Sequence, residues 1–172
     1  MMNMIQACAP IAQRRPADSL LVATMGAMFA LDRIEAELGL PEAANRINAV
    51  PLMGGSAGIG LGLALAQPQR RVIVVDGDAS LLMELGSLNT VAVQAPANLL
   101  HVVIHNGAQF SGLANSRSPH ASFSFTQAAR NAGYRHAETV DDPAAWPARF
   151  SALLAQDGPV LVDLMVAPMP QQ

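Results

Sequence analysis

The sequence predicts an α/β domain built on a single doubly wound, mainly parallel sheet with helices on both faces. Three observations predict it. Short aliphatic runs alternate along the chain with segments of helical length. Two of these runs, Val72–Val75 and Leu99–Ile104, are nearly continuous, which is typical of strands covered on both faces. The length of 172 residues suits one domain with its own core.

In the first half of the chain, the elements follow from the residue pattern and from the residues that end it. An aliphatic run predicts a strand at Ser19–Thr24, and amphipathic spacing predicts a helix over Ala27–Leu38 that a glycine and a proline close. A glycine-rich turn at Gly54-Gly55 opens a second helix, Ser56–Ala66, which stops before a proline. We treat residues 1–17 as an N-terminal extension of a single domain spanning residues 1–172.

In the second half, the strand that begins at Val72 is followed by a predicted helix over Leu81–Val93, and the strand through His101 comes next. The segment from Gly107 to about Ser122 is rich in Ser, Asn and Gly, and a loop of this length in a compact domain is usually functional or mobile. The remaining elements are a helix at Thr126–Ala132, a short strand near Tyr134, a helix at Pro143–Leu154 and a strand at Val160–Val166.

Composition argues against several classes of partner. The formal net charge is −3, and basic residues form no cluster larger than a pair, so we expect no nucleic-acid partner. No uninterrupted apolar run reaches the ~20 residues that a membrane span needs, and Met1–Ile11 lacks the features of a signal peptide. The single cysteine, Cys8, excludes an internal disulfide and is compatible with a reducing compartment. We therefore expect a soluble, cytoplasmic protein that does not bind membranes.

Polar residues follow two of the predicted strands. The segment Gly77-Asp78-Ala79-Ser80 follows the Val72 run, and Asn106-Gly107 follows the Leu99 run. Adjacent parallel strands would bring Asp78 and Asn106 together at the carboxyl edge of the sheet, where open α/β folds bind ligands. One carboxylate and one amide oxygen suit Mg²⁺ or Ca²⁺, and Mg²⁺ commonly completes its coordination with phosphate oxygens and water. The pattern predicts a site for a metal and a diphosphate.

Simpler interpretations of these motifs stay open. Asp78 could serve only as a helix N-cap. The glycines from Gly54 to Gly62 look like a dinucleotide fingerprint, but after Gly58 and Gly60 the third glycine would fall at Leu63, so the spacing fails. Those glycines are expected instead to let the helix approach the sheet closely.

Three residues are candidates for catalysis: His105, directly before the asparagine, and Arg117 and His120 in the long loop. Each has a structural alternative, because a histidine at a strand end is often only hydrogen-bonded and loop side chains are often only solvated. Glu84 is expected to be structural, and most methionines are expected to fill the core.

Together these residues resemble a known family. Gly77-Asp78-Ala79-Ser80 with Asn106 looks like the thiamine diphosphate motif, in which Gly-Asp-Gly is followed after a spacer by Asn-Asn. The longer stretches Met53–Ala66, Val72–Leu88 and Asn106–Ala108 are similar to the diphosphate-binding domain of sulfopyruvate and phosphonopyruvate decarboxylases. The resemblance implies the thiamine diphosphate-binding fold, with thiamine diphosphate and Mg²⁺ as cofactors.

The resemblance also implies which residues hold these cofactors. Asp78, Asn106 and the backbone carbonyl of Ala108 would be the Mg²⁺ ligands. Met53 would lie under the cofactor and support its bent conformation. The other implied cofactor-binding residues are Gly26, Gly54, Gly77, Ala79, Ser80 and Gln109.

The chain departs from the family pattern at several positions. Ala79 replaces the second glycine of the motif, a change also seen in acetohydroxyacid synthases, and His105 replaces the first asparagine, which is not a metal ligand. Met28 stands where relatives carry a hydroxyl residue, and Gln109-Phe110 stands where they carry His-Asp. The last two departures bear on the substrate and leave the implied metal site intact.

Finally, the resemblance implies a partner. The glutamate that activates the cofactor belongs to a pyrimidine-binding domain for which this chain has no room, so we expect it on a separate subunit of a hetero-oligomer. The implied protein is the diphosphate-binding subunit of a carboxy-lyase that decarboxylates a small 2-oxo acid and is active only with its partner. Arg117 and His120 favour a substrate with an acidic tail, such as a sulfonate or phosphonate. A carboligase subunit and a non-catalytic homologue are the alternatives.

Overall fold

The structure is a computed structural model that describes residues 1–39, 45–110, 115–117 and 123–168, with the backbone alone for residues 109, 110 and 115–117. Its strands are β1 (Leu20–Ala23), β2 (Arg46–Asn48), β3 (Val72–Gly77), β4 (Leu99–His105), β5 (Ala108–Phe110), β6 (Asn115–Arg117), β7 (His136–Val140) and β8 (Val160–Met165). Its helices are α1 (Met4–Arg14), α2 (Met25–Glu37), α3 (Ser56–Ala66), α4 (Asp78–Met83), α5 (Ser87–Gln94), α6 (Phe125–Ala132) and α7 (Trp146–Leu154). None of these described helices has the length and apolar character needed to cross a membrane.

Within the described residues, six strands form one parallel sheet in the order β2-β1-β3-β4-β8-β7, and β5 and β6 form a separate antiparallel pair. At least one helix lies between each strand of the large sheet and the next one along the chain, as parallel pairing requires. The predicted single doubly wound sheet is therefore confirmed.

The central strands are buried on both faces, as their continuous aliphatic sequences predict. In β3, Ile73 and Val75 pack in a core that includes side chains of α1, α2 and α7. Val72 and Val74 pack on the opposite face, in a core that includes side chains of α3, α4, α5 and α6. Successive residues of a strand point to opposite faces, so one unbroken aliphatic run contributes to both cores.

Residues 1–17, expected as an extension, contain helix α1, which packs into the first of these cores. The side chain of Asn3 accepts a hydrogen bond from the Gln6 amide and the side chain of Gln6 accepts one from the Asn3 amide, which forms a capping box. Cys8 is fully buried, and Trp146 Nε1 donates to the carbonyl of Ala7 at 2.8 Å. These contacts make α1 an integral part of the packed structure.

Several details differ from the sequence expectation. The helix predicted over Leu81–Val93 is two helices, because the chain turns at residues 84–86 between α4 and α5. The segment predicted as one long loop after Gly107 contains the antiparallel strands β5 and β6, which pair with each other. Strand β2 was not expected, and the strand expected near Tyr134 begins at His136. The new strands are only three residues long and carry no strong local signal.

The crossovers that follow β1 and β3 leave the sheet on opposite sides. Helix α2, which follows β1, contributes to the core on one face, and helix α4, which follows β3, contributes to the core on the other. Since β1 and β3 are neighbours, the loops at their carboxyl ends diverge and leave a crevice between them. Such switch points are where open α/β sheets bind ligands.

Helix α3 approaches the sheet closely at one glycine. A Cβ atom at Gly60 would overlap Cγ2 of Val74 in β3, whereas a Cβ at Gly62, on the exposed side of the same helix, would meet nothing within 4 Å. The expectation that the glycines of this segment allow close packing on the sheet therefore holds for Gly60 specifically.

This difference predicts opposite effects for two otherwise identical substitutions. Gly60→Ala should lower the free energy of unfolding by about 1–3 kcal/mol, because it overpacks the core. Gly62→Ala should raise it by about 0.5–1 kcal/mol, because alanine has the higher helix propensity. Urea denaturation followed by circular dichroism measures both, and equal effects of the two variants would contradict the packing seen here.

Candidate functional site

An open cavity of about 340 Å³ occupies the crevice at the carboxyl ends of β1 and β3. Its wall includes most of the residues that the sequence predicted to bind a cofactor or metal. They are Gly26, Met53, Gly77, Asp78, Ala79, Ser80, Asn106 and Ala108. The rest of the wall is largely apolar and comes from α1, α2, β4 and the segment before α3. Residues far apart in the sequence are thus brought together at one edge of the sheet.

Asp78 begins helix α4 at the end of β3 and is only 3% exposed. Its Oδ1 accepts a hydrogen bond from the amide of Ala79 at 2.8 Å, and its Oδ2 accepts one from the amide of Gly107 at 2.7 Å. The resemblance implied Ala79 as a cofactor-binding residue, and here its amide donates to the Asp78 carboxylate. The carboxylate is thereby held in one orientation at the cavity wall.

Asn106 follows β4 and belongs to a tight turn beside Asp78. Its Oδ1 accepts a hydrogen bond from the amide of Ala108 at 2.9 Å. Gly107 has a φ of +64°, a conformation that side-chain-bearing residues rarely adopt, and this conformation directs its amide to Asp78. The turn therefore brings Asp78, Asn106 and Ala108, the three predicted metal ligands, to one wall.

Met53 and Gly54 precede helix α3 on the other side of the crevice. Met53 lines the cavity and is 44% exposed. Gly54 is buried behind the wall, where its amide donates to Ser80 Oγ at 3.0 Å. Gly54 thus joins the α3 turn to the α4 turn and is not among the described residues that line the cavity.

Among the described residues, no cationic side chain in the cavity wall could neutralise an anion. The chain contains no lysine, and among the described residues no arginine or histidine lines the cavity. Burial raises the pKa of the Asp78 carboxyl, although its hydrogen bonds from backbone amides act in the opposite direction. A divalent cation held by the oxygen atoms of Asp78 and Asn106 would supply the missing positive charge both to this buried carboxylate and to an anionic ligand. The donor set therefore fits the predicted metal.

The described residues contain no group of three His, Cys, Asp or Glu side chains that could form a different metal site.

His105, a predicted catalytic residue, does not line the cavity. Its ring is buried on the opposite side of β4, where Nδ1 lies 2.9 Å from Asp163 Oδ1 and the ring of Phe125 packs at right angles with centroids 5.1 Å apart. The hydrogen bond to Asp163 raises the pKa of His105 above its ordinary value. This location does not favour direct contact between His105 and a ligand in the cavity.

The other predicted loop residues are only partly described. The backbone of Arg117 pairs with that of Ala108 across the β5–β6 ladder, which places this residue directly opposite a residue of the cavity wall. Gln109 is the next residue in β5. The structure describes only the backbone of Gln109 and Arg117. His120 lies outside the described residues.

The sequence interpretation missed two groups of residues. Met25, Phe29 and Leu52 line the cavity, but exposed apolar residues carry no distinctive local signal. Asp163, the partner of His105, did carry one, since it is a single carboxylate within the otherwise apolar strand β8. A charge in a buried strand requires a partner, and this requirement could have pointed to a buried histidine.

A parallel sheet with a buried carboxylate and an amide oxygen at its switch point is typical of α/β domains that bind ligands there. Comparison with known proteins makes the class specific, because residues 38–164 match the model of the thiamine pyrophosphate enzyme C-terminal TPP binding domain. Thiamine pyrophosphate is another name for thiamine diphosphate. The chain belongs to this family of thiamine pyrophosphate-binding domains, and the family resemblance inferred from the motifs is confirmed.

Individual relatives agree with this assignment. The chain is 44% identical over 122 residues to a phosphonopyruvate decarboxylase of Streptomyces viridochromogenes, an alignment that covers 69% of this chain and 30% of that protein. It is 39% identical over 117 residues to the sulfopyruvate decarboxylase subunit beta of Methanothermobacter thermautotrophicus, covering 67% of this chain and 59% of that subunit. The chain thus spans less than two thirds of the length of each of these relatives.

A solved structure supports the fold. The chain superimposes with a TM-score of 0.79 on a Mycobacterium smegmatis protein provisionally described as a thiamin diphosphate-dependent enzyme. The match covers 99% of this chain and 32% of that protein, at 22% identity. At this level of identity the similarity concerns the fold.

Proposed function

We propose that this chain is the diphosphate-binding subunit of a thiamine diphosphate-dependent decarboxylase that acts on a small 2-oxo acid together with a separate pyrimidine-binding subunit. One observation carries the proposal. Asp78, Asn106 and Ala108, which come from two neighbouring strand ends, meet at the wall of a cavity that lacks a cationic side chain among its described residues. This arrangement suits a metal that bridges the protein and a diphosphate.

In this proposal Mg²⁺ is held by the Asp78 carboxylate, the Asn106 amide oxygen and the carbonyl of Ala108. When bound, thiamine diphosphate supplies the chemistry of decarboxylation, because it accepts the electron pair released as carbon dioxide leaves. The chain's own residues bind and orient it. Met53 and the other apolar residues of the wall would pack against its rings and limit access of water.

A first test removes the metal ligand. Asp78→Ala should abolish the binding of Mg²⁺ and thiamine diphosphate, because it deletes the only carboxylate among the described residues of the cavity wall. The circular dichroism spectrum should be unchanged. Isothermal titration calorimetry with the partner subunit present measures the binding, and Asp18→Ala, which alters an exposed aspartate just before β1, is the matched control. Binding by Asp78→Ala with wild-type affinity would refute the metal assignment.

The proposed partner is supported by exposed apolar side chains at the mouth of the cavity. Met25, Phe29, Leu52 and Met53 all line the cavity and are between 42% and 61% exposed. A contiguous apolar rim around a binding cavity is typical of an interaction surface. Relatives are named as beta subunits, and we propose that the pyrimidine-binding subunit covers this rim and contributes the glutamate that activates the cofactor. We also propose that the complex is located in the cytoplasm.

The second test concerns this dependence on a partner. The purified chain alone should show no decarboxylase activity, and activity should appear when a pyrimidine-binding subunit is added; the neighbouring reading frames are the first place to search for it. Phe29→Glu should weaken the complex, as measured by analytical ultracentrifugation, because it places a charge in the apolar rim. Val93→Glu is the control, since Val93 is 70% exposed but does not line the cavity. Decarboxylation by the chain alone would contradict the proposal.

The proposed substrate carries an acidic tail, such as a sulfonate or phosphonate. The described cavity wall provides no cation, and the backbone of Arg117 lies opposite Ala108 in the β5–β6 ladder. An arginine at this position can bind a tetrahedral oxyanion through two hydrogen bonds. His120, outside the described residues, is the second proposed contact.

The third test compares substrates. Arg117→Ala should reduce kcat/KM for sulfopyruvate or phosphonopyruvate by at least tenfold, about 1.4 kcal/mol of transition-state stabilisation, and leave that for pyruvate nearly unchanged. Arg135→Ala, at an exposed arginine paired with Asp157, is the control. An unchanged preference for acidic over neutral substrates would exclude the proposed role of Arg117. Products that are mainly acyloins rather than aldehydes would indicate the carboligase alternative.

A further inference from the structure

The end of strand β4 is held in place by contacts on three sides of His105. Its Nδ1 lies 2.9 Å from Asp163 Oδ1, and the ring packs edge-on against Phe125. Its carbonyl accepts a hydrogen bond from the amide of Val166 at 3.0 Å. His105 and Asp163 are respectively 7% and 3% exposed. The residue immediately before Asn106 is therefore fixed by contacts of both its side chain and its backbone.

The pairing of the two side chains follows from the register of the sheet. In the parallel pair of β4 and β8, His105 is opposite Met165, and Asp163 is two residues earlier on the same face. A diagonal neighbour at this spacing is within reach of a long side chain. The hydrogen bond thus connects the end of one strand to the interior of the next and restricts how β4 can twist as it enters the Asn106 turn.

We infer that His105 and Asp163 are positioning residues for Asn106, and that their hydrogen bond orients the turn in which Asn106 and Gly107 face Asp78. The inference rests on the metal site proposed above. It also assigns to His105 a role that needs no contact with the substrate, in agreement with its location outside the cavity wall. Outer partners of this kind typically change metal affinity 10- to 100-fold when they are removed.

A purely structural role is the competing explanation, since any buried carboxylate must be paired. The two explanations differ for a variant that replaces both partners. Exchanging a buried polar pair for apolar residues of similar volume is often neutral for stability. If the pair only stabilises the fold, the double variant His105→Leu/Asp163→Val should bind the metal as tightly as the wild type does. If the pair orients Asn106, the variant should be stable and still bind metal weakly.

The experiment measures Mn²⁺ affinity by electron paramagnetic resonance, with thiamine diphosphate present and the full chain co-purified with its partner subunit. Mn²⁺ accepts the same oxygen ligands as Mg²⁺. We expect the double variant to have a melting temperature close to that of the wild type and roughly tenfold weaker Mn²⁺ binding. Mn²⁺ affinity equal to that of the wild type would overturn the inference.

A control removes another polar pair on the same face of the sheet, one in which Thr126 is buried and Thr139 is exposed. Thr126 and Thr139 share a hydrogen bond of 2.8 Å, and Thr139 is opposite Asp163 in the parallel pair of β7 and β8. Thr126→Val/Thr139→Val should alter stability but leave Mn²⁺ affinity unchanged. An equal loss of affinity in this control would mean that any disturbance of this face weakens the metal site, and would also overturn the inference.

Two further variants keep the test decisive. If the double variant does not fold, Asp163→Asn replaces it. This variant retains an acceptor but loses the charge, so about fivefold weaker Mn²⁺ binding is expected, because charge-assisted hydrogen bonds are roughly twice as strong as neutral ones. Unchanged affinity would overturn the inference. Asp78→Ala is the reference for the site itself, and if it binds Mn²⁺ like the wild type, the proposed metal site is wrong and the positioning role is wrong with it.

Discussion

The candidate site depends on one hydrogen bond between the ends of two neighbouring strands, from the amide of Gly107 to Oδ2 of Asp78 at 2.7 Å. Parallel pairing places Gly77 opposite Ile104, so both strands end at the same level and their following residues meet. The bond orients the carboxylate and the turn that carries Asn106 at the same time. The wall contributed by β3 and β4 therefore has a defined shape before any ligand binds.

Strand β4 carries a buried histidine beside an aspartate of each neighbouring strand. His105 is hydrogen-bonded to Asp163 in β8, whereas His101 Nε2 lies 3.5 Å from Asp76 Oδ2 in β3 and neither of these two atoms has a hydrogen-bond partner among the described residues. The two histidines are four residues apart and so lie on the same face of the sheet. Apolar packing alone does not specify one strand register as strictly as directional contacts do. The hydrogen bond between His105 and Asp163 thus connects the helix-covered core to the position of the end of β4.

The charge distribution of the chain explains why a metal is central to the proposed function. The chain has no lysine, and in the part of it that the structure describes the cavity wall carries a carboxylate but no cationic side chain. A diphosphate would be repelled from such a wall without a cation between the two. The remaining wall is apolar and suits the rings of an organic cofactor, while its exposed rim suits a partner subunit. The residues that line this one cavity therefore account for the proposed metal, the proposed cofactor and the proposed partner.

Much of the fold and of the candidate site could be predicted from local patterns. The aliphatic runs of β3 and β4 are recognisable because strands covered on both faces need apolar residues throughout. Asp78 and Asn106 stand out because they are polar residues that directly follow these two strands. Glycine at position 107 is likewise readable in the sequence, although its positive φ emerges only in the folded turn.

Other features are decided by tertiary structure. Helix α1 begins at a capping box, which is a local signal. Its position in the core depends instead on distant contacts, such as the hydrogen bond from Trp146 to Ala7. The division between α4 and α5 falls at Glu84–Gly86, and Glu84 lies close to the distant Gly54, where an added Cβ would be 2.7 Å from Glu84 Cγ. His105 was assigned to catalysis because it precedes a metal ligand in the sequence, yet the pleat of β4 turns its side chain away from the cavity and towards Asp163. Sequence alone determined which residue types end the strands. The face on which each side chain lies, and its partner there, depend on sheet register, which joins residues that are distant along the chain.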